Sequence, residues 1–138
     1  MLTIYRASAG AGKTHKLTGE YLLLLFTHKG AYRRILAVTF TNKATDEMKN
    51  RIVVELYRLS SGQKSDYVKL LGTAYSLTET QVRRQAHEIL REILHDYSAF
   101  NISTIDRFFQ QTMRAFTREI GLQGGYGIEM DQEMVLRE

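Results

Sequence analysis

Residues 7 to 14 read ASAGAGKT, and they lie between a short apolar segment, Leu2 to Arg6, and a longer leucine-rich one, Thr14 to Thr27. The spacing predicts a strand over 2–6, a tight loop, and a helix over 14–27 with Leu17, Tyr21, Leu24 and Leu25 on its inward face. Gly10 and Gly12 allow the turn, because a residue without Cβ accepts backbone angles closed to others. A strand that feeds a tight loop and then a helix aims several backbone N–H groups at one spot, at the positive end of the helix dipole. The stretch meets the phosphate-loop pattern G-x-x-x-x-G-K-[ST] everywhere except the first position, where Ala7 stands in place of glycine. Ala7 has only to be small. Ser8, Ala9, Gly10, Ala11 and Gly12 are the expected cradle for the phosphates of ATP. Lys13 and Thr14 are the expected catalytic pair: the ammonium reaches the β- and γ-phosphates, and the hydroxyl ligates Mg²⁺.

The rest of the chain supports an α/β fold of the phosphate-loop type. Ile35 to Thr39, ILAVT, is an uninterrupted apolar run of strand length, and it predicts a strand covered on both faces. Residues 43–59 return to helical spacing with Ala44, Met48, Ile52, Leu56 and Leu59 inward, and Ser60-Ser61-Gly62 breaks that helix. A further helix over 78–97 opens on a capping box, Thr78 with Gln81, and carries Val82, Ala86, Ile89, Leu90, Ile93, Leu94 and Tyr97. Asn101 to Thr104 reads as a brief strand. Helical spacing resumes from Ile105 through Phe109, Met113, Phe116 and Ile120, until Gly121 and the Gly124-Gly125 pair. Strands alternating with helices predict a mostly parallel sheet with flanking helices.

Charge and composition narrow the function classes. The net charge is +4, and six basic against two acidic residues between Lys29 and Arg51 account for the whole excess. The stretch from Glu119 onward is acidic, so a polyanion would meet the first region. Solvation of helix faces explains such charges equally well. With no cysteine, disulfides, thiolate catalysis and cysteine zinc sites are excluded. The longest apolar run, Leu22 to Phe26, is far short of the roughly 20 residues of a membrane span, and the expected location is cytoplasmic. His28, His87 and His95 show no metal-ligand arrangement.

Phosphoryl transfer also needs an acid at a strand end to hold the metal. ILAVT ends in Phe40-Thr41 without one, and NISTID is a polar segment whose Asp106 is the best candidate available.

The loop and two later blocks resemble the start of the UvrD/Rep-like superfamily-one DNA helicases, in particular the RecB and AddA branch of helicase-nucleases. ASAGAGKT is similar to that branch's first motif, where alanine commonly leads; ILAVTFTNKATDEMKNRI, Ile35 to Ile52, resembles the second block; STIDRFFQQTMRAFTREIGL, Ser103 to Leu122, resembles the third. The resemblance implies a RecA-like, incomplete first motor domain, the N-terminal part of helicase domain 1A. Its loop would be 7–14, its DNA-contact blocks 35–52 and 103–122, and 123–138 the start of an accessory subdomain. It implies that Thr39, Phe40, Thr41, Asn42, Lys43, Thr104 and Asp106 face single-stranded DNA. Phe40 could pack in the core or offer a face to a base, with core packing favoured by sequence alone. Asp106, which would repel a phosphate, is expected to order its loop or bond a base or sugar. His15 stands where relatives carry an arginine that packs on adenine. The later motifs and second motor domain have no counterpart here.

Three functions follow. The first is the ATP-binding N-terminal portion of a DNA helicase acting in repair or recombination, inactive alone. The intact form would move 3′ to 5′ on single-stranded DNA, with the remainder of the helicase chain and a second helicase-nuclease component as partners. The alternative is a small self-contained P-loop kinase using Asp106 as metal ligand or base, and a third is a non-catalytic nucleotide-dependent binding module.

Overall fold

A computed structural model describes residues 12–119. Five helices and two short strands follow one another: α1 (Gly12–Leu25), β1 (Ala37–Thr39), α2 (Asn42–Ser61), α3 (Tyr67–Tyr75), α4 (Glu79–His95), β2 (Ile102–Thr104) and α5 (Ile105–Glu119), with single 3₁₀ turns at Ala31–Arg33 and Tyr97–Ala99. The strand expected over 2–6 and loop residues 7–11 lie outside the described residues, as do Ile120 and the glycines after it.

The sheet is parallel, as expected, and has two strands among the described residues, in the register Ala37↔Ile102, Val38↔Ser103 and Thr39↔Thr104. The connection between them is α2, α3 and α4. These helices and α1 enclose the core, in which Leu22, Ile52, Leu56, Leu71 and Ile93 are fully excluded from water. Each such side chain contributes about 1.5–3 kcal/mol of transfer free energy. α2 and α4 form the principal helix pair.

Local chemistry explains the boundaries. Thr41 is extended and its hydroxyl accepts from Ala44 N at 3.1 Å, so α2 begins at Asn42. α2 ends at Gly62, whose φ of 70° is left-handed and suits glycine. The predicted capping box is present: Gln81 N donates to Thr78 Oγ1 at 3.3 Å, and Thr78 N donates to Gln81 Oε1 at 2.8 Å. α3 was not expected from the spacing of its residues. It packs on α1 at Gly19, where a Cβ would lie 3.2 Å from Leu70 and 3.3 Å from Tyr67.

Three expectations need correction. α1 buries Thr18, Tyr21, Leu22 and Leu25, while Leu17 and Leu24 are half-exposed. A run of four leucines fits several helix faces, and packing of α2 and α3 chooses among them. β1 is not covered on both faces among the described residues: Ala37 and Thr39 turn to the core side, while Leu36 and Val38 remain 49% and 44% exposed. On α4 and beyond, Leu94 and Tyr97 stay outside the core at 60% and 46% exposure: Leu94 lies about 100° round the helix from the fully buried Ile93, and past the turn at Tyr97–Ala99 it is Phe100 that enters the core.

Candidate nucleotide and nucleic-acid sites

The first group of predicted residues stands at the N-terminal turn of α1. Lys13, Thr14 and His15 are all exposed. No acid occupies this turn. The buried Thr18 hydroxyl donates to the Thr14 backbone carbonyl at 2.8 Å, a bond that does not engage the Thr14 side chain. An unencumbered ammonium and hydroxyl at a positive helix end are suited to a polyphosphate and its cation, and these residues fit MgATP on that ground.

His15 has company that sequence spacing could not reveal. Its ring stacks on Tyr67, with centroids 4.8 Å apart, and its Nε2 lies 3.6 Å from Asp66 Oδ2. The Tyr67 hydroxyl donates to His15 O at 3.0 Å. Burial is the first cause, and neighbouring Glu55 the next, that raise the Tyr67 phenol above its ordinary pKa. This clamp ties α3 to the start of α1 across 52 residues of sequence.

The second group gathers at the C-terminal edge of the sheet, where open α/β folds place ligands. Parallel pairing sets Thr39 opposite Thr104, so the ends of the two blocks come together although widely separated in sequence. Thr39 Oγ1 meets Thr45 Oγ1 at 2.6 Å and lies 3.1 Å from Thr41 O, to which it donates. Thr45, absent from the predicted set, thereby holds the turn that displays Phe40, Thr41, Asn42 and Lys43. A threonine one turn into a helix is an ordinary surface residue in sequence; only the fold gives it this role. Thr104 is buried and accepts from Arg107 N at 3.2 Å, which caps the first turn of α5. Asp106 is exposed and forms no hydrogen bond or ion pair among the described residues, so the local ordering there is done by Thr104.

Phe40 departs from the core placement that sequence favoured: it is 86% exposed. Thr39 is drawn toward α2 by its hydroxyl bonds, and alternation along the extended chain turns Phe40 the other way. Lys43 is similarly outward, its Nζ 4.0 Å from Glu47. No hydrogen bond or ion pair joins the α1 group to the strand-end group among the described residues, and no set of three His, Asp or Glu there could hold a metal ion. No described helix is long and apolar enough to cross a membrane.

Comparison with known proteins gives this geometry a context. The chain is 34% identical over 116 residues to the RecB component of the RecBCD enzyme of Borreliella burgdorferi, a match covering 84% of this chain and 8% of the relative. It is 32% identical over 126 residues to an ATP-dependent helicase/nuclease of Lactobacillus acidophilus, covering 91% of this chain and 9% of that protein. To the ATP-dependent DNA helicase UvrD1 of Mycobacterium bovis it is 32% identical over 108 residues, covering 78% and 13% respectively. The chain thus spans about a tenth of the length of these relatives. No solved structure matches it. The family model of the UvrD/REP helicase N-terminal domain matches residues 2–137, and the chain belongs to that family.

Proposed function

We propose that the chain is the N-terminal, ATP-binding part of an ATP-dependent DNA helicase acting in repair and recombination. The intact protein would couple ATP hydrolysis to 3′ to 5′ movement on single-stranded DNA. The observation that carries this reading is the strand-end edge: Thr39 and Thr104 in register, with Phe40 and Lys43 turned outward beside them. An exposed aromatic ring beside hydroxyls, an amide and an ammonium supplies what a single strand requires, a face for a base and donors for the backbone. The family and the names of its members support the same reading.

In this reading residues 7–14 form the phosphate loop of a RecA-like domain 1A, 35–52 and 103–122 are its DNA-contact blocks, and 123–138 begin an accessory subdomain. Bound MgATP supplies the phosphoryl group whose release drives movement. The Lys13 ammonium binds and orients the β- and γ-phosphates, and the Thr14 hydroxyl holds the cation. His15, backed by Tyr67, offers a flat face to the base. Thr41, Asn42 and Lys43 bind the DNA backbone, and Asp106 bonds a base or sugar. Later parts of the helicase chain supply the acid for hydrolysis, and a second helicase-nuclease component completes the assembly in the cytoplasm.

A two-ligand binding assay tests the reading. Lys13→Ala should reduce affinity for a fluorescent ATP analogue at least tenfold and leave single-stranded DNA binding unchanged. Phe40→Ala should weaken single-strand binding by about 1–3 kcal/mol, the worth of one stacked base, and leave nucleotide affinity unchanged. Retained binding in both variants would contradict both assignments.

A further inference from the structure

At the other end of β1 the chain carries a second basic surface. Gly30, at φ 73°, turns the backbone into the 3₁₀ turn Ala31–Arg33, which lies against the last turns of α4. Gly30 N donates to Glu92 Oε2 at 3.1 Å, and the hydroxyl of buried Tyr32 donates to Glu92 O at 3.3 Å. On this anchored turn the Arg33 guanidinium lies 5.5 Å over the Tyr32 ring, donates from Nε to Tyr32 Oη at 3.0 Å, and pairs with Asp96 at 2.9 Å. Lys29, Arg33, Arg34 and Arg91 line one open cavity of about 490 Å³. Its two acids are engaged already, Asp96 with Arg33 and Glu92 with Gly30 N and, at 3.9 Å, Lys29. Arg34 and Arg91 are exposed and have no acidic partner among the described residues.

The chemistry of the surface selects its partner. Guanidinium forks match phosphate oxygens. The cavity's one aromatic with a large apolar ring, Tyr32, is buried beneath Arg33, so there is no apolar anchor for a protein hot spot or a bilayer. The exposed rings that line the cavity are the small, polar imidazoles of His28 and His95, which give a base much less apolar face to stack on than Phe40 does at the strand end. What remains is a backbone whose bases are already stacked on one another. We infer that the surface formed by Lys29, Arg33, Arg34 and Arg91 is a second nucleic-acid contact, which grips the phosphate backbone of duplex DNA without reading sequence.

Arg34 and Phe40 lie on either side of β1, separated by up to about 20 Å of chain, at roughly 3.3 Å per residue. That exceeds the Debye length of about 8 Å at physiological salt, so the two surfaces act as separate electrostatic sites. A helicase that holds a single strand at one edge of its sheet would thereby hold duplex at the other.

The test uses the whole chain with a labelled blunt duplex and a labelled single strand of equal length, titrated at several salt concentrations. Arg34→Glu with Arg91→Glu should weaken duplex binding about tenfold or more and lower the slope of log affinity against log salt by about 2, at about 0.9 per phosphate. Single-strand affinity should fall less than about threefold. Lys64→Glu with Lys69→Glu makes the same change in net charge at exposed positions away from the cavity, and should leave duplex affinity within about threefold. Equal losses in the two double variants, equal losses on duplex and single strand, or no duplex binding by the parent chain would each overturn the inference. The Phe40→Ala result bears on the strand-end reading alone, so the two can fail independently.

Discussion

At the scale of single residues, the fold's polar interior is nearly satisfied, and its exception is informative. Tyr21 is buried, packs edge-on against Phe100 with ring centroids 5.9 Å apart, and its hydroxyl is a buried group without a hydrogen-bond partner among the described residues. Burial raises its pKa far above the ordinary phenol range. Because an unsatisfied buried donor costs about 1–3 kcal/mol, Tyr21→Phe should preserve or increase stability by up to about 1 kcal/mol. A urea midpoint that falls with unchanged slope would contradict this. Among candidate site residues, Lys13, Thr14 and Lys43 were legible as types at set spacings, and the structure leaves them exposed. Phe40 was not: an aromatic next to a strand looks like core until the neighbouring threonine's bonds to α2 fix the direction of alternation. Tyr67 and Thr45 could not be read at all, since their roles depend on contacts made by folding.

At the scale of elements, the two most amphipathic of the described helices behave differently. The capping box and apolar stripe of α4 announce a helix, and the helix is packed along that stripe from Val82 to Ile93. α5 has an equally plain stripe, with Phe109, Met113 and Phe116 at helical spacing, yet these are 60%, 52% and 60% exposed and none of its residues is buried. Periodicity states which face a helix would bury; it does not state whether a neighbour is there. With little tertiary burial among the described residues, α5 relies largely on local terms, and isolated helices of this length are marginal. Its amides should therefore exchange with solvent hydrogen orders of magnitude faster than those of α2 and α4. Hydrogen exchange with mass spectrometry reads this by peptide, and equal protection of α5 and α4 would show that α5 is covered.

At the scale of the whole molecule, stability should depend on pH in the alkaline range. Tyr21, Tyr67 and Tyr75 all have phenols raised by burial above the ordinary value near 10. Below pH about 10 both folded and unfolded chains keep these protons, and the contribution is fully present. Above it the unfolded chain releases protons first, so stability falls as pH rises through the raised folded-state values. Chemical denaturation at increasing pH should show this decline, with a gentler slope in Tyr21→Phe; an identical slope would remove Tyr21 from the account. The same three tyrosines tie distant segments together: Tyr67 bonds His15 O, Tyr75 bonds Leu23 O, and Tyr21 meets Phe100. The sequence by itself determined the elements that rest on local chemistry: the helices that caps and periodicity define, the glycine stop at Gly62, the two short strands and the residue types of both candidate sites. Those signals act within a few residues, where backbone preference and side-chain spacing decide. Only the tertiary structure decided which leucines of α1 turn inward, that Thr39 and Thr104 meet, that Phe40 faces water, and that Arg33, Arg34 and Arg91 share one surface. Each of these depends on what lies across a gap from a residue, and packing alone supplies that neighbour.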